Sequence, residues 1–312
     1  MKLQQLRYMV EVARRGLNVS DAAEALFTSQ PGVSKQVRLL EEELGVVVFE
    51  RSGKRLTAVT EPGRAVLAVA ERILREAENL KRIGEEYAGG DSGRLAIATT
   101  HTQARYALPA VVKAFVERYP KVRLHLQQGS PTQIAEWLLN GEADIGIATE
   151  ALDQYTDIVA LPCKQWSHCV IAPAGHPVLG ERLSIPVIAR YPLITYDAAF
   201  AGRSRINQAF ERAGFEPNVV LAAIDADVIK AYVALGLGLG IIAAMAFDPV
   251  RDSGLVAIDA SHLFASNITK IGVRRGVHLR RYEYELITLF APHLTRQEVD
   301  RAMTGGGAEY QL

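Results

Sequence analysis

Cysteine is scarce in this sequence. Two cysteines, Cys163 and Cys169, occur among 312 residues, and their spacing matches no metal-binding or redox motif. This scarcity excludes a disulfide-held scaffold, and we expect two structural thiols in a reducing compartment.

Long hydrophobic runs are also missing. No stretch of 18 consecutive apolar residues occurs, so no membrane-spanning helix is predicted. Residues 1–16 mix charged and apolar side chains and lack the apolar core of a signal peptide. We expect a cytoplasmic protein with no membrane partner.

An excess of either charge is absent, because 35 basic residues balance 35 acidic ones. Zero net charge argues against a surface that is basic throughout. Residues 1–64, however, carry ten Lys and Arg against eight Asp and Glu. Whether this small excess serves nucleic-acid binding depends on where the charges lie.

What is present begins with the pattern of a helix-turn-helix. An amphipathic helix over residues 2–15 precedes two shorter helices, for which Ser20 and Ser29 are the predicted N-caps. In the last of these helices Pro31 suits the first turn and Gly45 ends the helix. A tight turn between the two short helices is typical of a helix-turn-helix.

Two short strands around Ser52-Gly53 follow, and they predict a wing. In such a module the second helix enters the major groove with its N-terminal end first. Its polar side chains then contact phosphates and base edges, and basic residues at the wing tip add to them. We expect Glu41 to Glu43 to lie at the far end of the helix, away from the DNA. The predicted DNA-binding residues are Ser29, Gln30, Pro31, Ser34, Lys35, Arg38, Arg51 and Lys54.

A long helix is predicted over residues 60–88. Its apolar positions from Val66 to Tyr87 alternate spacings of four and three over three heptads, which favours pairing with a second copy of the helix. A helix packed on its own domain alone is the alternative.

Residues 89–312 alternate strands and helices. This alternation predicts a parallel sheet with covering helices, and its length favours two α/β lobes joined by chain crossovers. Ligands of such folds bind where the carboxyl ends of strands meet the starts of helices. The fold class is therefore α/β, with domain bounds at 1–59, 60–88 and 89–312.

Two motifs carry a family resemblance. The run SQPGVSKQVRLLE at 29–41, followed by LTAVTEPG at 56–63, resembles the DNA-binding region of LysR-type transcriptional regulators, and the resemblance covers the whole chain. It implies an N-terminal winged helix-turn-helix, a long linker helix and a two-lobed, periplasmic-binding-protein-like α/β effector domain. It also implies a homodimer through the linker helix, commonly a homotetramer, that activates transcription from promoter half-sites in double-stranded DNA, with RNA polymerase as a further partner.

The segment TTHTQ at 99–103 crowds hydroxyl, imidazole and amide groups between a strand and a helix. Nothing around it specifies a nucleophilic triad, His101 has no second ligand at zinc-site spacing, and the P-loop pattern is absent. The glycine-rich GLGLG at 236–240 lies between a helix and a strand, the wrong order for a dinucleotide site, so close packing is favoured. No catalytic residue, metal or cofactor is predicted.

Two interpretations of this segment remain, namely anion binding and simple capping of the next helix. Thr100 and Thr102 offer hydroxyl donors, Gln103 offers an amide, and the next helix begins with unpaired N–H groups. A second strand ends in IATEA, which places Thr149 at an equivalent edge of the same lobe. Neutral donors of this kind can hold a small dianion without a counter-cation.

A closer resemblance bears on the ligand. TTHTQARYALP, QGSPTQIAEW, ADIGIATEAL and FAPHLTRQEVD are similar to the cysteine-regulon activators of this family and their sulfonate-utilisation paralogues. The similarity implies effector contacts at Thr100, Thr102, Gln103 and Thr149. The implied effectors are acetylserines, sulfate, thiosulfate, sulfide or adenosine phosphosulfate. Where that branch has Thr before Gly-Arg-Ser, this chain has Ala201, so one hydroxyl donor is missing, while the N–H of Gly202 is expected to point at the ligand.

We therefore expect a regulator of sulfur assimilation and cysteine biosynthesis genes, not an enzyme. A regulator of sulfonate utilisation that responds to adenosine phosphosulfate or sulfate is the alternative within the family. A solute-binding or catalytic α/β protein with an accessory helix-turn-helix is the alternative from another class.

Overall fold

The computed structural model describes residues 1–53, 55–89, 92–198, 200 and 202–305. The chain divides into two compact units, Met1–Glu85 and Glu86–Leu312. Among the described residues, no helix combines the length and the apolar character that a membrane span requires.

The first unit has three helices, an antiparallel hairpin and most of a long helix. The elements are α1 (Leu3–Arg14), α2 (Val19–Ala25), α3 (Gln30–Leu44), β1 (Phe49–Ser52), β2 (Arg55–Val59) and α4 (Glu61–Gly89). The predicted winged helix-turn-helix and the long helix after it are therefore confirmed.

Helix α3 begins and ends where its sequence predicts. The Ser29 side chain accepts a hydrogen bond from the N–H of Gly32, and Pro31 lies in the first turn. Gly45 ends the helix with φ 65°, a left-handed conformation that costs glycine little. The buried side chains Val33, Val37 and Leu40 share one face.

The start of α2 differs from the prediction. Asn18, not Ser20, is the N-cap, and its side chain accepts the N–H groups of Ser20 and Asp21. Asparagine caps helices as well as serine does, so the helix begins two residues earlier than a cap at Ser20 would place it.

The first half of α4 packs on the core of the first unit. Ala70 is buried in that core. Four neighbours contact the same core, namely Val66, Leu67, Ile73 and Leu74. Further along, Leu80 and Tyr87 are 72% and 87% exposed. Over the first turns of α4 the predicted apolar stripe therefore packs on the core of the first unit, whereas at Leu80 and Tyr87 it is exposed.

The second unit contains two five-stranded sheets, each at the centre of one lobe. The first sheet has the order β4-β3-β5-β12-β6. Its strands are β3 (Gly93–Thr99), β4 (Val122–Gln128), β5 (Ile145–Ala148), β6 (Ile158–Trp166) and β12 (Asn267–Arg274). The helices of this lobe are α5 (Leu108–Arg118), α6 (Pro131–Asn140), α10 (Arg281–Phe290) and α11 (Arg296–Met303).

The second sheet has the order β11-β7-β10-β8-β9. Its strands are β7 (His168–Pro173), β8 (Leu193–Tyr196), β9 (Val219–Ala223), β10 (Leu239–Ala243) and β11 (Leu255–Asp259). Its helices are α7 (Ile185–Ile188), α8 (Arg203–Arg212) and α9 (Ala226–Ala234). The chain enters this lobe through Ser167 alone and returns through residues 260–266.

Both sheets are mixed, so the prediction of a parallel sheet was wrong in part. Strand β12 runs antiparallel to β5 and β6, and β7 runs antiparallel to β10 and β11. Strands β6 and β11 were not predicted. They belong to the passages between the lobes, where a strand joins the next sheet without an intervening helix, so the strand–helix alternation does not reveal them.

The helix expected after TTHTQ is Leu108–Arg118, and a π-helical turn over Gln103–Ala107 precedes it. Pro109 has no N–H to donate and its ring would clash with the carbonyl four residues earlier, so a regular α-helix running through this point from Gln103 is disfavoured. The wide turn places Gln103, which is 2% exposed, inside the protein. Such turns are frequent at functional sites.

Candidate functional sites

Helix α3 presents the polar face that the sequence predicts for DNA. Ser29, Gln30, Pro31, Lys35 and Arg38 are exposed. The Gln30 amide nitrogen donates to Ser34 Oγ at 3.4 Å. One surface groove is lined by Gln30, Pro31, Ser34, Lys35 and Arg38.

Arg51 of the wing forms an ion pair with an acid of α3. Its guanidinium contacts Glu41 Oε2 at 2.7 Å, and the two side chains are 27% and 7% exposed. Glu41 Oε1 also accepts the N–H groups of Val48 and Phe49, at 2.8 Å and 3.0 Å. Glu41 lies near the end of α3 as expected, but it is buried and ties that helix to the start of the wing. The pairing also engages Arg51, whose predicted contact with DNA stays a prediction.

The wing has two other basic residues, Lys54 and Arg55. Lys54 lies outside the described residues. Arg55 is exposed and lines a groove together with Gln30 and the turn at 16–20. Arg55 thus shares a groove with Gln30 of the recognition helix, and Arg51 shares a smaller pocket with Ser34 and Arg38 of that helix.

The effector residues lie at two neighbouring strand ends. Strand β3 pairs in parallel with β5, from Ile97 with Ile145 to Thr99 with Ile147. Thr100 follows the first strand and Thr149 follows the second. The two threonines therefore leave the same edge of the first-lobe sheet, as predicted.

The hydroxyl and amide groups at this edge differ in their availability. In the described part of the chain, the hydroxyls of Thr100 and Thr149 make no hydrogen bond to another protein group. Thr102 hydrogen-bonds the hydroxyl of Tyr196 in the second lobe, and Gln103 Nε2 donates to Thr269 Oγ1 at 2.9 Å. Thr100 and Thr149 are thus open donors, whereas Thr102 and Gln103 are already bonded.

Gly202 brings the second lobe to this edge. It precedes α8 with φ 68°, and its N–H donates to Glu150 Oε1 at 2.6 Å. Ala201, the position of the missing threonine, lies outside the described residues. Sequence reasoning missed Glu150, because an acid directly after a predicted anion contact gives no pattern of its own.

A second junction between the lobes is made by the π-helical turn and α9. Tyr106 Oη donates to Asp227 Oδ1 at 2.7 Å, and Arg105 Nε lies 3.3 Å from Asp227 Oδ2. Burial would raise the pKa of Asp227, but the bonds from Tyr106 and Lys230 outweigh it and lower that pKa. Burial and the bond to Asp227 raise the pKa of Tyr106. Arg105 therefore contributes to a contact between the lobes.

Folding also gathers His101, Asp225 and Asp227, with one potential ligand atom of each within 4.8 Å of the others. The sequence spacing gave no indication of this group. Asp227 already contacts Arg105 and Lys230, and Asp225 caps α9. These cations and bonds compete with a metal for the carboxylates, so the group does not favour a divalent cation.

The two thiols are buried and not joined in a disulfide. Burial raises the pKa of each, Cys163 and Cys169, to about 12. A thiol with such a pKa carries almost no thiolate at neutral pH, which agrees with the predicted structural role.

Comparison with known proteins identifies the class. Residues 3–64 match the bacterial regulatory helix-turn-helix protein, lysR family, and residues 88–303 match the LysR substrate binding domain. The chain belongs to the LysR family of bacterial transcriptional regulators, which are not enzymes. Regulators of this family bind DNA and small-molecule effectors and form oligomers.

Individual relatives are similar over nearly the whole length. The chain is 58% identical to the HTH-type transcriptional regulator SsuR of Burkholderia cenocepacia over 96% of this chain and 97% of that one. It is 52% identical to the regulator CysB of the same organism, over the full length of both. The cofactor-binding domain of the Cbl transcriptional regulator superposes with a TM-score of 0.67 at 46% identity, covering 69% of this chain and 94% of that domain.

Proposed function

We propose that this LysR-family protein regulates genes of sulfur assimilation and cysteine biosynthesis, and that it senses a small sulfur-pathway effector between the lobes of its second unit. The similarity to CysB and SsuR over nearly the full chain carries the assignment. The open hydroxyls of Thr100 and Thr149 at one sheet edge support an anionic effector.

The proposed effector contacts are Thr100, Thr102, Gln103, Thr149 and Gly202. The hydroxyl, amide and backbone N–H groups among these contacts are neutral donors, which can hold a fully ionised oxyanion such as sulfate without a counter-cation. Thr102 bonds Tyr196 across the lobes, so a ligand that engages Thr102 also acts on the lobe junction. Closure of the lobes on the anion would then alter the spacing of the DNA-binding units on their half-sites.

Regulation of sulfonate utilisation, with adenosine phosphosulfate or sulfate as effector, is the second candidate. The identities of 58% to SsuR and 52% to CysB favour neither assignment strongly. Both candidate functions involve a sulfur-pathway effector, so the ligand screen described next tests both of them.

The effector is tested by calorimetry on the full chain with sulfate, thiosulfate, both acetylserines and adenosine phosphosulfate. Each of Thr100→Val and Thr149→Val should weaken binding of the oxyanion by about 2- to 12-fold, since a hydrogen bond contributes about 0.5–1.5 kcal/mol. Thr132→Val, at an exposed position of α6, is the control. Unchanged affinity in both site variants would remove these residues from the site.

DNA binding is tested by titrating a promoter fragment at several salt concentrations. Lys35→Ala should weaken binding and reduce the slope of log K against log salt by about 1, as the loss of one phosphate contact does. The control is Arg212→Ala, an exposed base at the end of α8. Equal slopes for both variants would contradict the proposed set of DNA-binding residues, which are Ser29, Gln30, Pro31, Ser34, Lys35, Arg38, Arg51 and Lys54.

The proposal extends to the assembly. We place the protein in the cytoplasm, where its DNA lies, as a homodimer joined through α4 and associating further into a homotetramer. The exposed side chains of Leu80 and Tyr87 support a partner for that helix. The proposed domain bounds remain 1–59, 60–88 and 89–312.

A further inference from the structure

The N–H group expected to hold the effector is already bonded to an acid of the chain itself. Gly202, at the start of α8, donates to Glu150 Oε1 at 2.6 Å. Glu150 directly follows Thr149 at the end of β5, so this bond joins the two lobes. A carboxylate of the protein thus occupies a donor that an anionic ligand also requires.

The surroundings of this bond contain polar atoms without partners. Asn267 is 3% exposed, and a Cβ on Gly202 would lie 2.8 Å from its Nδ2. Trp166 is the register partner of Asn267 across β6 and β12. Among the described residues, Asn267 Nδ2, Trp166 Nε1 and Glu150 Oε2 are buried and make no hydrogen bond. Buried polar groups of this kind are normally satisfied, so the Asn267 amide donor and one Glu150 carboxyl oxygen are left for a ligand beside Gly202, and the Trp166 N–H on the adjacent strand is a third unsatisfied group.

The electrostatics restrict what that ligand can be. Burial raises the pKa of Glu150, although the bond from Gly202 and the charges of Lys270 on β12 and Arg205 on α8 oppose the shift. A carboxylate and a second anion repel each other when they share one donor. A purely anionic ligand therefore requires Glu150 to be protonated or displaced, whereas a ligand that also carries an N–H or O–H can donate to Glu150 Oε2.

We propose that Glu150 is a specificity-determining residue of the effector site, which opposes bare oxyanions and accepts ligands that join an anionic group to a hydrogen-bond donor. This inference rests on the proposed effector function. Sulfate offers no donor at neutral pH, so its binding takes up a proton from solvent onto the Glu150 carboxylate. N-acetylserine offers an amide N–H and a hydroxyl beside its carboxylate, so it binds without such uptake.

Calorimetry on the full chain at pH 6 and pH 8 tests the proposal, with sulfate and N-acetylserine as probes. The wild-type protein should bind sulfate up to about 100-fold more weakly at pH 8, since the affinity falls at most tenfold per pH unit when one proton is required. Glu150→Gln should bind sulfate with equal affinity at both pH values, at least tenfold more tightly than wild type at pH 8. The same variant should lose about tenfold in affinity for N-acetylserine.

Controls separate this inference from the proposed function. Glu142→Gln, an exposed acid before β5, should behave as wild type, and circular dichroism verifies that each variant is folded. Repeating the sulfate titration in buffers of different ionisation enthalpy should show proton uptake in wild type and none in Glu150→Gln. If wild type binds sulfate and Glu150→Gln shows the same affinity and pH dependence, or a lower affinity, the role of Glu150 is wrong and the effector class stands. If neither protein binds either probe, the proposed effector class is wrong, and the proposed role of Glu150 is wrong as well.

Discussion

Removal of Glu41 should loosen the wing from the recognition helix. One carboxylate accepts two backbone N–H groups and pairs with Arg51, over distances of 2.7–3.0 Å. Glu41→Ala leaves the N–H groups of Val48 and Phe49 without their acceptor in a buried position. It also leaves Arg51 without its counter-charge.

The magnitude follows from these contacts. A buried donor left without a partner costs about 1–3 kcal/mol, and Arg51, which is 27% exposed, can recover part of its loss by turning to water. We therefore expect Glu41→Ala to destabilise the first unit by about 3–5 kcal/mol, the range for breaking a buried ion pair. Glu41→Gln keeps one acceptor oxygen and should cost about half as much.

The assay must report on the first unit. Both tryptophans, Trp137 and Trp166, lie in the second unit, so intrinsic tryptophan fluorescence does not follow the wing. Amide hydrogen exchange read on peptides that cover residues 46–50 does. Because every 1.4 kcal/mol is a factor of ten, a loss of 3 kcal/mol raises the exchange rate of the Val48 and Phe49 amides by roughly 100-fold.

The control is Glu42→Ala, one residue along and exposed, which should stay within about 0.5 kcal/mol of wild type. Equal exchange in Glu41→Ala and Glu42→Ala would refute the reasoning. The pairing also affects how DNA binding is tested: Arg51→Ala would disturb the wing as well as any DNA contact, so a loss of affinity in that variant would not by itself assign a contact.

Two further predictions concern the second unit. Gly202→Ala should destabilise this unit by about 1–3 kcal/mol, because φ is 68° and the new Cβ would lie 2.3 Å from Asn267 Oδ1. Urea unfolding followed by tryptophan fluorescence measures this loss of stability. The control is Gly180→Ala, which has open space around it and should change the stability little. Asp227→Asn should be less stable than wild type at pH 6, and the difference should shrink as the pH falls below about 4. The reason is that the pKa of Asp227 is lowered in the folded state. The stability that this shift provides is present above the pKa of the unfolded state and is lost as the pH falls through the pKa of the folded state. A constant difference from pH 6 to pH 3 in thermal melts, with Glu211→Gln as the exposed control, would contradict that origin.

The sequence predicts the elements that local rules determine. The cap at Ser29, the end of α3 at Gly45 and the turn at Ser52-Gly53 depend on residues within a few positions of one another, and all were correct. The same is true of the strand ends at Thr100 and Thr149, because parallel neighbours place equivalent ends at one edge.

Contacts between distant residues were beyond such rules. Glu41 has the appearance of a solvated acid among three glutamates, and only the return of the chain at residues 48–51 gives it partners. Glu150 meets Gly202 across 52 residues, and Tyr106 meets Asp227 across 121. The mixed sheets share this origin, since β6 gains its partner β12 only after the chain returns from the second lobe, and β11 pairs with β7, which lies far earlier in the same lobe.

The passage through Ser167 has a mechanical consequence. One residue separates β6 of the first lobe from β7 of the second, while the return passage spans residues 260–266. A single-residue connection acts as a pivot: it permits rotation about a fixed point but almost no sliding of one lobe past the other. Distances between sites near this pivot change little when the lobes rotate, and distances at their far ends change most. Spin labels placed far from Ser167 would therefore report closure with the greatest sensitivity.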